Sequence, residues 1–426
     1  MRAATVAAVL AVLVLGACAP RVVTPENAAV SALSSPPTPT ATASPTAAAQ
    51  APTAPPTAAS SAPSSAPIAT PRCAGKAADD VMAFCPEGAR VDIDMLVGGR
   101  DAAAILAQVS DDLAAVQAEF AWTLRGTPRI DVYATRDRYV AGLTGVFGYS
   151  RATAEYLADN SVAFFDPTLT RIAVSWDAVG DRRPIAAIRH ELTHIVTLEA
   201  CARRCDLVPA WLNEGQARLA ETTVDGAPWR LMRVRYEAAS MVATGTLIPL
   251  TSLWTQAQWN SLGDWQGYYK YQEAARATEL LKLDVGDHAI ARLYARLRAG
   301  QDLPTAYAAL SGRTFASYLS SLSGRVTAEI APGPSIVLVT PGPDGSGASY
   351  LLYGFPAEAS VTVRVRSRLF DQTTQQRVSP QGALFGAIDA SYPPGTYTIT
   401  AASGSAVAAV TVIKRGGRAV RPLKDD

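Results

Sequence analysis

Ala187-Ile188-Arg189-His190-Glu191-Leu192-Thr193-His194-Ile195-Val196 is the stretch on which the fold turns. Ile185, Ile188, Leu192, Ile195 and Leu198 recur at three and four residues, the period of a helix with one apolar face. Asp181 and Pro184 stand just ahead as helix-start signals. His190 and His194 lie four residues apart, so both project from one face, one turn apart. Two imidazole nitrogens placed this way can hold one tetrahedral zinc ion. Glu191 lies beside them. It can accept a proton from a water whose pKa the metal lowers. The chain has only 3 His, and two of them fall in this motif.

Catalytic zinc takes three protein ligands and keeps a fourth position open. The candidate for the third is Glu214, in Trp211-Leu212-Asn213-Glu214-Gly215-Gln216-Ala217. Pro209 precedes a helical pattern there, which places Glu214 in the first turn of a second helix. Glu199, Asp206 and Glu221 are rivals. Glu199 follows His194 by five residues on the same helix and points away from the metal. Asp206 follows Cys205 in a loop. Glu221 lies about two turns beyond Glu214 and is better placed to hydrogen-bond a ligand than to be one.

These two motifs together resemble the gluzincin metallopeptidases, and most closely the peptidase MA-like domains of bacterial exported proteins. The Trp211-to-Gly215 run also looks like the aminopeptidase-N-type enzymes. The resemblance covers roughly residues 85–325. It implies one Zn2+ per chain held by His190, His194 and Glu214, with Glu191 as general base. The Gly-x-Met-Glu-Asn motif by which the aminopeptidases grip an amino terminus is absent, so the resemblance does not extend to their exopeptidase action. The family often places a Tyr on a later helix to support the tetrahedral intermediate. Tyr268, Tyr269 and Tyr271 precede the helical run Gln272 to Leu281. Tyr271 is the first choice because it falls where that helix begins. His288 is a further candidate, although its place after Asp284-Val285-Gly286-Asp287 favours an exposed capping role.

Around this centre the chain is heterogeneous. It has 426 residues and a net charge of +1, which argues against a nucleic-acid partner, whose phosphates need a basic excess. Arg2 and the apolar run Ala3 to Leu15 read as a signal peptide, too short to span a bilayer. Leu15-Gly16-Ala17-Cys18 resembles the bacterial lipobox. That implies removal of residues 1–17 and lipidation of Cys18. The protein is then expected to be extracytoplasmic and lipid-anchored to the bacterial cell membrane. Residues 18–72 are mostly Ala, Pro, Ser and Thr, without charge from Asn27 to Pro71, and read as a disordered tether. Cys73, Cys85, Cys201 and Cys205 remain, an even number in an oxidising compartment. Proximity suggests Cys73–Cys85 and Cys201–Cys205 disulfides. Cys201 and Cys205 also have the spacing of half a zinc site, but no second pair stands near.

Residues 73–328 are expected to form the metallopeptidase domain. Asp101 can cap a helix over 102–121, with Ile105, Val109, Leu113, Val116 and Phe120 on one face. Ile130–Tyr133, Ser161–Asp166 and Thr170–Trp176 read as strands. Ile290–Leu297, Ala306–Leu310 and Phe315–Leu322 read as short helices behind the site. The fold class is α+β: a small sheet plus a mostly helical C-terminal part. From Ser335 the period becomes two, and six strands over 333–414 suggest a small all-β, Ig-like sandwich whose ligand is unreadable. Residues 415–426 are a basic tail. Two functions fit. One is a membrane-anchored zinc metallopeptidase acting on a peptide or protein substrate outside the cytoplasm. The other is a non-catalytic surface binding or scaffold lipoprotein on a peptidase-like fold.

Overall fold

The computed structural model describes Cys73 and residues 80–414, except 180–184, 203, 225, 227, 329, 331–332, 340–347 and 389–391. The segments read as signal peptide, tether and basic tail, with Cys18, Asp181 and Pro184, lie outside the described residues. The architecture is mixed α and β, with twelve α-helices and three sheets among the described residues. None of these helices is long and apolar enough to cross a membrane.

The first sheet is built from β1 (Val81–Phe84), β2 (Arg90–Asp94), β3 (Arg129–Tyr133), β4 (Ala163–Asp166) and β5 (Arg171–Ser175) in the order β1-β2-β3-β5-β4. Strands β2, β3 and β5 run parallel; β1 and β4 flank them antiparallel. The helix α1 (Gly99–Phe120) joins β2 to β3, as a parallel pair requires a crossover. The next helices are α2 (Arg136–Gly145), α3 (Arg151–Asn160), α4 (Trp176–Val179) and α5 (Ala186–Ala200). Val91, Ile93, Ile130, Val132, Ile172 and Val174 share one core with Ile105, Val109 and Leu113 of α1 and Ile188, Leu192 and Ile195 of α5. Phe164 and Ala173 instead join Tyr139 and Leu143 of α2 and Leu157 of α3 in a second cluster.

Asp101 is not the cap of α1. That helix starts at Gly99, and Gly98 caps it with no side-chain hydrogen bond. Asp101 lies in the first turn, where a carboxylate complements the helix dipole. Strands β1 and β2 and helices α2 and α3 are additions to the sequence reading. Strand β2 hides as a strand because Asp92 and Asp94 occupy buried positions, held by Arg90, Arg129 and Arg138.

The chain continues through α6 (Ala210–Glu221), α7 (Pro228–Ala243), α8 (Gln256–Asn260), α9 (Asp264–Val285), α10 (Ala289–Arg298), α11 (Leu303–Ser311) and α12 (Phe315–Ala328). Helix α6 packs on α5 and along α9. Gly215 makes the α6–α9 approach possible: a Cβ there would fall on the Ala274 carbonyl and the Thr278 hydroxyl.

The strands that follow are β6 (Ser335–Val339), β7 (Ala348–Tyr353), β8 (Ser360–Arg366), β9 (Asp371–Arg377), β10 (Leu384–Ile388), β11 (Gly395–Ser403) and β12 (Ala406–Lys414). They form two antiparallel sheets, β10-β7-β6 and β12-β11-β8-β9. Ile336, Tyr350 and Leu352 of one share a core with Val361, Val363, Tyr397 and Ile399 of the other. Strand β9 escapes a pattern reading because it is a sheet edge with no buried residue, so its Gln and Thr side chains show no apolar alternation. Val337 and Leu351, on the other face of the three-stranded sheet, pack with Met232 and Tyr236 of α7.

Gly215→Ala should therefore lower stability by about 1–3 kcal/mol, the usual cost of overpacking. It should also displace Glu214, its neighbour in the chain. Thermal unfolding and metal titration of the purified variant measure the two effects, and both should move together.

Candidate metal centre

Helix α5 is buried almost all round. Ile188, Leu192 and Ile195 enter the core; His190 and His194 lie on the opposite side, and they and Glu191 are buried as well. A helix apolar on one stripe and buried on the opposite one must have its polar groups partnered there. Arg189, the residue before His190, fixes the rotation of the helix. Its guanidinium donates to Asp112 of α1 at 2.7 Å and to the Thr223 hydroxyl at 2.8 Å, just past the end of α6.

Helix α6 brings Glu214 to the same place, one turn in from its start at Ala210. Its Oε2 lies 3.5 Å from Nε2 of His190 and 3.5 Å from Nε2 of His194. Among the described residues, neither oxygen of this fully buried carboxylate accepts a hydrogen bond. A buried carboxylate without a donor is costly. A cation between the three groups removes that cost. Atoms bound at about 2.1 Å around a tetrahedral zinc lie about 3.4 Å apart, which matches the two observed separations. The residues therefore fit a metal ion, and His190, His194 and Glu214 form a buried group able to hold one.

The outer nitrogens are committed elsewhere. Nδ1 of His190 donates to Glu221 Oε1 at 2.6 Å, and Nδ1 of His194 donates to Asn213 Oδ1 at 3.1 Å. Each ring thus keeps its Nε2 lone pair for a metal. Glu221 is in turn gripped by Arg218, one turn back on α6. Burial alone would push the Glu214 carboxyl up, but His194 and His190 bring it down to about 2. Glu221 is likewise brought to about 2, against its burial, by Arg218 and His190. Burial opposes protonation of His190, yet Glu214 and Glu221 hold it well above the ordinary histidine range. Burial pushes Glu191 above the usual carboxylate range, and His190 and His194 offset this only in part.

The rivals for the third ligand occupy other posts. Glu199 accepts from the backbone nitrogen of Arg125 at 2.9 Å. Asp206 is exposed in a short turn between α5 and α6. Tyr268, Tyr269 and Tyr271 all lie within α9, which starts earlier than the run from Gln272 suggests. The Tyr268 hydroxyl meets Arg233 and Glu237, and that of Tyr269 donates to Ser379. Tyr271 has its ring 6.2 Å from His190 and 4.9 Å, edge-on, from Trp259. His288 is the exposed N-cap residue of α10, without a side-chain capping bond, beside Glu119 and Lys282. Cys73 pairs with Cys85, and Cys201 with Cys205 at the end of α5. Asn213 and Arg218 were not singled out from sequence. Their signals were the place of Asn213 next to Glu214 and the i, i+3 spacing of Arg218 and Glu221. No family model matches the chain, and no curated protein is significantly similar to it.

His194→Ala should abolish metal binding, since two protein ligands rarely retain zinc. Glu221→Gln should weaken binding by about 10–100-fold, and Glu214→Gln more. Glu214 and Glu221 favour the protonated form of His190 against its burial, and a metal must displace that proton. Zinc affinity, measured by chelator competition, should therefore climb as pH rises through and beyond neutrality.

Proposed function

We propose that the protein is a membrane-anchored zinc metallopeptidase that hydrolyses peptide bonds outside the cytoplasm. The observation that carries this reading is the buried Glu214 carboxylate with Oε2 3.5 Å from both imidazole Nε2 atoms, with Glu191 on the same helix as those imidazoles. When bound, zinc supplies a Lewis acid that polarises a peptide carbonyl and acidifies water. Glu191 takes the proton from the attacking water and delivers it to the leaving amine. Tyr271, beside His190, is the group we assign to hydrogen-bonding the developing oxyanion. Glu221, Arg218 and Asn213 hold the two imidazoles in orientation.

We read the helical part as gluzincin-type and the two C-terminal sheets as Ig-like. The two disulfides accord with an oxidising compartment. Lipidation at Cys18 and the tether would hold the site away from the bilayer, where a protein or peptide substrate is met.

Glu191→Gln preserves size and shape but cannot accept a proton. The variant should keep its zinc, measured by metal analysis, and lose peptide hydrolysis by at least about 100-fold. Loss of zinc together with activity would make Glu191 a structural residue or ligand. Full activity in the zinc-loaded variant would refute the mechanism.

A further inference from the structure

A loop between two strands ordinarily runs over the surface. The loop joining β9 to β10 does not: Val378, Gln381, Gly382 and Ala383 are buried. Gly382 has φ +68°, and a Cβ there would fall on the Phe355 carbonyl and lie 3.0 Å from the Thr244 methyl, next to the end of α7. Ala383 packs in the cluster with Met232 and Tyr236 of α7. On the loop's other side, Ser379 Oγ accepts from the Tyr269 hydroxyl of α9 at 3.1 Å. The same Oγ accepts from the backbone nitrogens of Gln381 and Ala383 at 3.3 Å each, which holds the loop closed on itself. The loop is thus lodged between the end of α7 and the opening turns of α9.

Those turns lead directly to the metal centre. Tyr269 meets Tyr268 edge-on at 5.1 Å, and the Tyr268 hydroxyl accepts from Arg233 at 2.5 Å. Two residues after Tyr269, the ring of Tyr271 stands against His190 and Trp259.

We infer that Ser379, presented by the C-terminal sheets, is a positioning residue that fixes the opening turns of α9 and through them Tyr271 at the metal centre. The two sheets are then part of the frame of the site. The structural half of the inference stands on contacts alone. The catalytic half rests on the peptidase reading.

The test uses the full chain, with Ser379→Ala and Ser379→Thr, and Ser360→Ala as a control in an exposed pair with Gln375. Amide hydrogen exchange at residues 268–272 should quicken by about fivefold in Ser379→Ala, the scale of one hydrogen bond. It should return to the wild-type rate in Ser379→Thr and stay unchanged in Ser360→Ala. Zinc affinity should hold constant. For peptide hydrolysis, kcat should fall by about fivefold with KM within about twofold, and Ser379→Thr should restore it. Unchanged exchange in Ser379→Ala overturns the inference whatever the activity does. Quickened exchange with unchanged kcat in an active protein overturns its catalytic half. A wild type that binds zinc and shows the exchange response, yet cleaves no peptide, leaves the positioning role intact and defeats the peptidase reading instead.

Discussion

A carboxylate buried beyond water and without a donor is the constraint on which the rest of this structure depends. Among the described residues Glu214 is in that position, and its Oε2 lies 3.5 Å from the Nε2 atoms of His190 and His194. Everything around it serves to hold that arrangement. The bare backbone of Gly215 lets α6 lie against α9. The Arg189 guanidinium locks the rotation of α5 against α1 and the end of α6. Glu221 and Asn213 turn the outer nitrogens of both rings away from the centre. None of these contacts is costly to satisfy alone; together they converge three ligand atoms on one small volume.

The centre is also electrostatically asymmetric. Three carboxylates, Glu191, Glu214 and Glu221, are buried around two imidazoles. Two of them are held down at about 2, Glu214 by His194 and His190 and Glu221 by Arg218 and His190, while burial pushes Glu191 up. Similar side chains on neighbouring helices are thus separated in chemistry by where their partners lie. Such a split between carboxylates of one residue type is what environment imposes.

The legible parts of the chain were those whose signal is local. The apolar period of α1 and α5 and the two His one turn apart follow from spacing alone, whereas Glu214 is chosen among its rivals with the help of a family resemblance. Strands β8, β11 and β12 of the C-terminal sheets also follow from spacing, because buried and wet positions alternate along them. What stayed hidden was set by distant partners. Strand β9 has no buried side, so it carries no period. Strand β2 buries two Asp residues that only their arginines explain. The start of α9 is crowded with Tyr, and only the contacts of each ring distinguish them. Arg218 acts through Glu221, a relation that becomes meaningful only once His190 is seen to touch that carboxylate.

The three-stranded sheet β10-β7-β6 has consequences for how the chain can be divided. One face covers the core of the four-stranded sheet, and the other meets Met232 and Tyr236 of α7. Tyr353, at the end of β7, belongs to the main helical core itself and meets Tyr236 edge-on. The change of period near residue 333 is therefore a change of topology across which buried apolar contacts are shared. Severing the chain there would strip apolar cover from both pieces at once. The helical and the β parts are expected to melt as one body and to be inherited as one body, unlike beads exchanged between proteins along a flexible string.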